Sequence, residues 1–277
     1  MRFHIGLVLA LVLALAGCFS EPPRVEAPKP PPENPNRLTL RLAMIPAPRV
    51  KGSDAASKRR LEEAVGVASS VLGLDAVVFG GDLIANEDAK DAADALDAFT
   101  SLAGIIAAKR YVVLGERERA GALPEDEVLR ALEAKKLVPD RSGNASEVVK
   151  PGVRLLLLDV AEDGSVSEAT RKFALAALKA RTPETLIVVV ADRPPLDAAV
   201  QEAMRADARV KLVLFRAARP EGMAQPGEVA TVSAPPLDTP GPLAIRVIDI
   251  DGRTCKTRLL AVPGGGDAGA PQELKLR

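Results

Sequence analysis

Short runs of valine, leucine and isoleucine alternate with helix-patterned segments along most of this 277-residue chain, and this alternation constrains its fold more than any other feature. Residues 55–72 carry apolar side chains at three- and four-residue steps, which predicts a helix, whereas the apolar run at 76–79 is typical of a buried strand. Strands that are apolar along their whole length belong to sheets covered on both faces. The alternation therefore predicts an α/β fold, which we expect to be a two-sheet β-sandwich flanked by helices.

The remaining elements follow from the same two patterns. Further helices are predicted at 88–108, 125–136, 168–180 and 196–206. Further strands are predicted at 38–45, 111–114, 153–158, 186–190, 210–215, 229–233, 243–250 and 254–262. Asp251 and Gly252 form a typical hairpin turn between the last two strands, so we expect these strands to pair antiparallel at an edge.

The first residues of the chain resemble a bacterial lipoprotein signal peptide. Arg2 precedes an apolar run at 5–16 of about 12 residues, which is shorter than the roughly 20 needed to span a bilayer. The run ends in the sequence LAGC, which resembles a lipobox, and the resemblance implies that residues 1–17 are removed and that Cys18 carries lipid. An ordinary secretory signal with a chance cysteine is the alternative.

Three segments are expected after the signal peptide. Residues 18–37 are dominated by proline and predict an extended, semi-rigid tether. Residues 38–262 are long enough for one domain with its own core, and the glycine-rich stretch at 263–277 predicts a flexible tail. Phe19, rather than an aspartate, follows Cys18, and similarity to other bacterial lipoproteins then favours the periplasmic face of the outer membrane.

Composition excludes several chemistries. The chain has 37 basic and 37 acidic residues, and this balance argues against a nucleic-acid partner. Its one histidine, His4, lies in the predicted signal peptide, so the mature protein would lack the commonest transition-metal ligand and the usual general acid. With Cys18 lipidated, Cys255 has no disulfide partner; we expect a structural strand residue, with a reactive thiol as the alternative.

Polar residues follow most of the predicted strands, at the edge where α/β sheets bind ligands. In chain order these runs are PAPR ending at Arg49, GGDLIAN ending at Asn86, GERE ending at Glu118, ADRPP around Asp192, and RAAR ending at Arg219. Their order and spacing resemble the calcineurin-like metallophosphoesterase family, whose runs are Asp-x-His, Gly-Asp, Gly-Asn-His-Asp/Glu, His-Pro-Pro and Gly-His-x-His. The resemblance spans roughly residues 38–260 and is closest in the segment DAVVFGGDLIAN.

The resemblance implies a metallophosphoesterase-like sandwich, but it also implies that the catalytic site is degenerate. Members of the family hold two metal ions that generate a hydroxide nucleophile. The family's ligand and catalytic positions fall here on Ala47, Arg49, Asp82, Glu116, Arg117, Asp192 or Arg193, Ala217 and Arg219. Asp82 is the only retained ligand, so no metal cofactor and no catalytic residue is expected. A weak Mg²⁺ or Mn²⁺ site built from carboxylate oxygens is the alternative.

Arginines and carboxylates stand in place of the lost ligands. The arginines are Arg49, Arg117, Arg193 and Arg219, and the carboxylates are Asp82, Glu116, Glu118 and Asp192. Three interpretations remain open: ordinary solvated charges on loops, an internal ion-pair network in which guanidinium groups replace the metals' charge, or a site for a phosphate-like anion.

These observations predict a lipid-anchored protein of the cell envelope with a catalytically degenerate domain that acts as a binding or scaffold module. Its expected partners are the membrane, through Cys18, and a protein or a phosphate-like anion, but not a nucleic acid. The alternatives are a divergent metal-dependent phosphoesterase built around Asp82 and a purely structural envelope protein.

Overall fold

A computed structural model describes residues 39–138, 142–216, 229–237 and 243–276. The predicted signal peptide, the predicted lipidation site Cys18 and the predicted tether at 18–37 lie outside these residues. In the first half of the chain the elements are β1 (Thr39–Pro46), α1 (Ala55–Ser70), β2 (Ala76–Gly80), α2 (Ala89–Ala103), β3 (Lys109–Val113), α3 (Glu116–Ala120), α4 (Glu125–Ala134) and β4 (Ala145–Lys150). In the second half they are β5 (Val153–Leu158), α5 (Glu168–Lys179), β6 (Leu186–Ala191), α6 (Ala198–Ala206), β7 (Val210–Arg216), β8 (Ala230–Ala234), β9 (Leu243–Asp251), β10 (Thr254–Val262) and β11 (Gln272–Lys275).

The strands form two sheets. The six-stranded sheet has the order β11-β10-β9-β1-β2-β3, and the five-stranded sheet has the order β4-β5-β6-β7-β8. Strands β1, β2 and β3 are parallel, as are β5 to β8, whereas β9 and β10 pair antiparallel through the predicted hairpin turn. The carboxyl ends of the parallel strands therefore share one edge in each sheet.

Alternating side chains on each strand explain why the sheets are buried on both faces. In β1, Leu42 and Met44 join a core between the two sheets, which also contains Val188 and Leu212 of the second sheet. Ile45 points the other way, into a core shared with α1, α2 and α4. A third core lies between the second sheet and helices α5 and α6. The predicted α/β fold, a two-sheet sandwich flanked by helices, is confirmed.

Local signals account for where helices begin and end. The Asp54 carboxylate accepts hydrogen bonds from Ala56 N and Ser57 N and caps α1. Helix α2 was expected to reach residue 108 but ends at Ala103, because Gly104 follows and Ile106 turns back into the helix-side core. Among the described residues, no helix has the length and apolarity needed to cross a bilayer.

The prediction of a flexible tail at 263–277 is wrong for residues 272–276. Strand β11 pairs antiparallel with β10, with Leu274 opposite Cys255, and Leu274 and Leu276 are buried between the sheets. Burying two leucines and completing the hydrogen bonds of β10 stabilises this segment, so the ordered domain extends beyond residue 262 to 276. Cys255 is buried in the strand as expected, and burial raises the pKa of its thiol to about 12, which disfavours the reactive-thiol alternative.

Candidate functional site

A buried ion-pair cluster lies where the carboxyl ends of the parallel strands meet. Arg216, the last residue of β7, donates from Nε and Nη2 to the two carboxylate oxygens of Asp192, which directly follows β6, at 2.8 Å each. Its third nitrogen, Nη1, donates to Asp82 Oδ2 at 2.9 Å, and Asp82 follows β2 in the other sheet. All three side chains are at most 5% exposed. One guanidinium thus connects the carboxylates of the two sheets.

Arg49 adds a second guanidinium to the same carboxylate. Its Nη2 and Nε lie 2.7 and 3.2 Å from Asp82 Oδ2, the oxygen that also accepts from Arg216. The backbone N–H of Arg117 donates to the other oxygen, Oδ1, at 3.4 Å. A third of the Arg49 side chain remains exposed, so the cluster is dry on the Arg216 side and reaches solvent on the Arg49 side.

Burial and ion pairing have opposite effects on these groups. Burial alone would raise the pKa of Asp82, but Arg216 and Arg49 together hold it below its usual value. Burial raises the pKa of Asp192, against the opposing effect of its Arg216 hydrogen bonds. Burial would lower the pKa of Arg216, yet its hydrogen bonds and attraction to Asp192 and Asp82 raise it. Arg216 therefore stays cationic between the two carboxylates.

The Glu118 carboxylate binds backbone N–H groups and is not part of the ion-pair cluster. Its carboxylate is fully buried and accepts hydrogen bonds from Leu83 N at 2.7 Å, Ile84 N at 3.3 Å and Gly115 N at 2.9 Å. Burial is the main reason that its pKa rises to about 7; the Gly115 N–H opposes the rise, and the nearby charge of Asp82 adds to it. Glu118 thus joins the start of α3 to the loop after β2.

The predicted site residues fall into three groups. Arg49, Asp82 and Asp192 lie together in the cluster, and Arg193 lies at its rim, 4.0 Å from Asp192 and 3.5 Å from Glu162. The third group makes its contacts elsewhere: the Arg117 side chain donates to Ala85 O and Glu87, Glu116 lies half-exposed 3.9 Å from Arg119, and Glu118 accepts from backbone N–H groups. Ala47 is buried directly after β1. Ala217 and Arg219 lie outside the described residues.

The ion-pair-network interpretation does not hold for the side chains of Arg117 and Glu116, because both residues lie on the short helix α3 and make their side-chain contacts outside the cluster. There the backbone N–H of Arg117, and not its side chain, faces Asp82. Sequence reasoning also missed Arg216 as the central cation. The available signal was a charged residue directly after the apolar run 212–215: if the end of the strand is buried, this charge needs a partner.

The backbone around the cluster is unusually contorted. Ala47, Arg49, Asp82 and Asn86 all have φ between 38° and 51°, in the left-handed region that costs energy for residues other than glycine. Their loops are tied together by backbone hydrogen bonds, such as Arg49 N to Asp82 O at 3.0 Å.

The Asn86 side chain secures the outer part of this backbone. Its amide nitrogen donates to Arg117 O at 2.6 Å, and its oxygen accepts from Leu123 N at 2.7 Å. A Cβ on Gly115 would overlap the backbone nitrogen of Asp82, so only glycine permits this approach. We call the region formed by the ion-pair cluster and the loops after β1, β2 and β3 the cleft. Groups outside the ion-pair cluster hold the backbone of these loops in place.

The side chains do not fit the two-metal centre that members of the resembled family hold. Asp82 and Asp192 offer carboxylate oxygens, but Arg216 already lies between them and donates to both. In the described ranges there is no group of three or more histidine, cysteine, aspartate or glutamate residues arranged to hold a metal ion. The arrangement is instead a charge-balanced ion-pair network.

Comparison with known proteins gives similarity of fold at low identity. No protein-family model and no curated protein sequence matches the chain. Among solved structures, a predicted phosphoesterase from Streptococcus pneumoniae matches 87% of this chain and 99% of its own, at 11% identity and a TM-score of 0.43. Vacuolar protein sorting 29 from Cryptosporidium parvum matches 86% and 98%, at 10% identity and a TM-score of 0.44.

A putative 5'-nucleotidase from Staphylococcus aureus matches 87% of this chain but only 54% of its own length, at 11% identity and a TM-score of 0.44. Such low values say nothing about activity. The sheets and the helices of the chain itself define a two-sheet α/β sandwich flanked by helices, which is the architecture that the sequence resemblance implies. At the carboxyl ends of its parallel strands, this sandwich holds a buried Asp–Arg–Asp bridge.

Proposed function

We propose that this protein is a non-catalytic binding or scaffold module of the bacterial cell envelope, anchored through lipid on Cys18 and carried on the tether at 18–37. The supporting observation for the non-catalytic role is the position of Arg216 between Asp82 and Asp192. The lipobox-like sequence before Cys18 supports the anchoring.

The Arg216 bridge supplies without a metal the positive charge that the two carboxylates need. Its contacts with Asp192 form a bidentate pair, the strongest hydrogen-bonding geometry available to a carboxylate. A metal ion at this point would have to displace a buried guanidinium and leave it unpaired. Removing one partner of a buried ion pair costs about 3–5 kcal/mol, so the ion-pair network resists metal binding.

The groups in the cleft are also poor proton-transfer catalysts. Arginine does not lose its proton in proteins, and the only histidine, His4, lies in the predicted signal peptide. Glu118 has a pKa of about 7, but its carboxylate is enclosed and accepts three backbone N–H groups instead of facing the cleft. These features support a role in binding.

The exposed side of the cluster is where a ligand would make contact. About a third of the Arg49 side chain and of the Arg193 side chain is accessible. Both are planar cations suited to a phosphate-like anion or to acidic groups of a protein partner. Buried Arg216 would hold Asp82 in place and would not contact the ligand.

Metal content and phosphoesterase activity test the non-catalytic role. The full chain, Asp82→Ala and the surface control Arg130→Ala are dialysed against Mn²⁺, Mg²⁺ and Zn²⁺, analysed by elemental mass spectrometry and assayed with a chromogenic phosphate ester. We expect no retained ion and hydrolysis at background in all three proteins. Mn²⁺-dependent turnover that disappears only in Asp82→Ala would overturn the proposal and establish the divergent phosphoesterase.

Anchoring has its own test. Intact mass spectrometry of the chain extracted from membranes should show loss of residues 1–17 and addition of acyl chains. The acyl mass should be absent in Cys18→Ser. A mature chain of unmodified mass would overturn the anchoring while leaving the interpretation of the cleft intact.

A further inference from the structure

The amino ends of β1, β2 and β3 form an edge of the domain opposite the ion-pair cluster, and this edge exposes large apolar side chains. Leu72, after α1, is 85% exposed, and Ile105, after α2, is 64% exposed. Val148 of β4 is also exposed. Only Leu196 among the other large apolar residues of the described ranges is comparably exposed, and it lies at the opposite edge, after β6.

Hydrogen bonds place these apolar residues at the same edge of the domain. Arg41 Nη1 donates to Leu72 O at 2.6 Å, and Arg110 Nη1 donates to Gly104 O, next to Ile105, at 2.8 Å. Lys109 Nζ donates to Val148 O at 2.9 Å. Arg41 is on β1 and Arg110 is on β3, and these two strands are separated only by β2, so they lie on the order of 10 Å apart. We call this region the amino-end edge.

The amino-end edge carries both cations and carboxylates. Arg41 pairs with Asp249, and Lys150 pairs with Asp75 at 2.8 Å. Lys109 and Arg110 donate only to backbone carbonyls and form no ion pair with any described residue. Glu133 and Glu147 line the same pocket as Arg110. The edge thus presents two cations without an ion-pair partner in the described part of the chain, beside Ile105 and Val148.

The chain also enters the domain at this edge. Thr39 is the first residue of β1, and Lys150 Nζ lies 3.5 Å from its hydroxyl. Residues 1–38 are joined to the domain here, including Cys18, the proposed point of lipid attachment. A membrane that holds the chain at Cys18 would therefore be connected to the domain through the start of β1.

From this combination we infer that the amino-end edge docks on the surface of a bilayer that contains anionic lipids, with Leu72 and Ile105 entering the interface and Lys109 and Arg110 contacting headgroup phosphates. Apolar side chains flanked by lysine and arginine are the chemistry of interfacial membrane contact. The inference rests on the proposed anchoring only in that anchoring brings a membrane close. Docking would leave the Arg49 side of the cleft facing away from the bilayer.

Hydrogen–deuterium exchange of the full chain on vesicles tests this docking. Exchange is followed at 72–75, at 104–110 and, as an internal control, at 192–197. We expect the first two segments to exchange severalfold more slowly on vesicles containing phosphatidylglycerol than on phosphatidylcholine alone. The difference should shrink at high salt, which screens headgroup attraction, and 192–197 should not change.

Matched variants separate the two contributions. Lys109→Glu with Arg110→Glu should abolish the slowing, as each cation near an anionic surface contributes about fivefold to binding. Leu72→Ser with Ile105→Ser, at exposed positions that tolerate change, should weaken it. Lys90→Glu and Leu196→Ser, at the opposite edge, should retain it.

Equal exchange on both kinds of vesicle would overturn the docking. So would slowing that grows with protein concentration in the absence of lipid, because that result would assign the surface to a second copy of the chain. Intact mass of the same sample reports acylation separately. Slowing without acyl chains would retain the docking and refute the anchoring, and acylation without slowing would do the reverse.

Discussion

Arg216 and Asp192 are joined twice, once through their side chains and once through their backbones. Besides the bidentate contact at 2.8 Å, Arg216 N donates to Asp192 O at 3.1 Å. The ends of β7 and β6 are thereby aligned so that Nη1 of Arg216 reaches Asp82 in the other sheet. The pair is part of the construction of the sandwich as well as of its cleft.

Removing the bridging guanidinium should destabilise the fold. Arg216→Ala leaves Asp82 and Asp192 buried without their shared partner, and we expect a loss of about 3–5 kcal/mol in the free energy of unfolding. Chemical denaturation at neutral pH measures it. Arg130→Ala, which removes an exposed i,i+4 pair with Asp126, should cost less than about 1 kcal/mol. Equal, small losses in both variants would show that the bridge contributes little.

Arg216→Ala should also gain affinity for divalent cations. With Arg216 gone, two carboxylates face an empty space of the kind that divalent cations fill. Mn²⁺ should stabilise Arg216→Ala, by roughly 2.7 kcal/mol when the free ion is at about a hundred times its dissociation constant, and leave the natural chain unchanged. Thermal unfolding with and without Mn²⁺ measures this. Equal stabilisation of both proteins would contradict the interpretation of Arg216 as a metal substitute.

Stability should fall as pH rises through neutrality because of Glu118. Its folded pKa of about 7 lies above the ordinary 4.5, so the folded state binds the extra proton. The contribution is fully present below about pH 4.5 and is lost as pH rises through about 7, by roughly 3 kcal/mol at most. Glu118→Gln should flatten this dependence. Denaturation midpoints across this range check it, and an unchanged slope in the variant would assign the dependence to other groups.

Asp82 should affect the free energy of unfolding in a different, more acidic pH range. Its pKa is held below the ordinary 3.8, so its contribution is present above that value and is lost as pH falls through the lowered folded pKa. Asp82→Asn should therefore reduce stability at neutral pH and make it less sensitive to acid. Acid titrations monitored by circular dichroism measure this. Identical acid midpoints for the variant and the natural chain would contradict it.

Replacement by alanine should lower the stability of the protein at one glycine and raise it at another. Gly115→Ala forces a Cβ into the backbone of Asp82, and we expect a loss of about 1–3 kcal/mol. Gly66→Ala, within α1 where nothing lies near the added Cβ, should stabilise the protein by about 0.5–1 kcal/mol. Chemical denaturation of both variants compares them. A tolerated Gly115→Ala would mean that the cleft backbone is more adaptable than its geometry indicates.

Most of the sandwich was predictable because its strands are apolar on both faces and its helices are not. Strand β5 and strand β10 lie at their predicted bounds, and helix ends differ by a few residues where glycine or a turn intervenes. Strands β4 and β11 were missed because they are short, edge-lying and rich in charged residues, so that neither shows a continuous apolar run.

The cleft was predictable only in part. Strand ends determined that Arg49, Asp82 and Asp192 would meet, since parallel strands bring their carboxyl ends together. The identity of the central arginine depends on β7 ending at Arg216, one residue later than predicted. A hydrophobic pattern does not resolve the end of a strand to one residue. The orientation of Arg117 depends on α3, a helix too short to produce a periodic signal.

The left-handed turns at Ala47, Asp82 and Asn86 are secured by backbone hydrogen bonds and by the Asn86 side chain, and not by the guanidinium groups. The course of these loops and the charge at the exposed rim therefore depend on different residues. Substitution at the rim, as at Arg193, can change the surface charge there while the loops keep their course. Substitution of Arg216 or Asp192, in contrast, also weakens the connection between the two sheets.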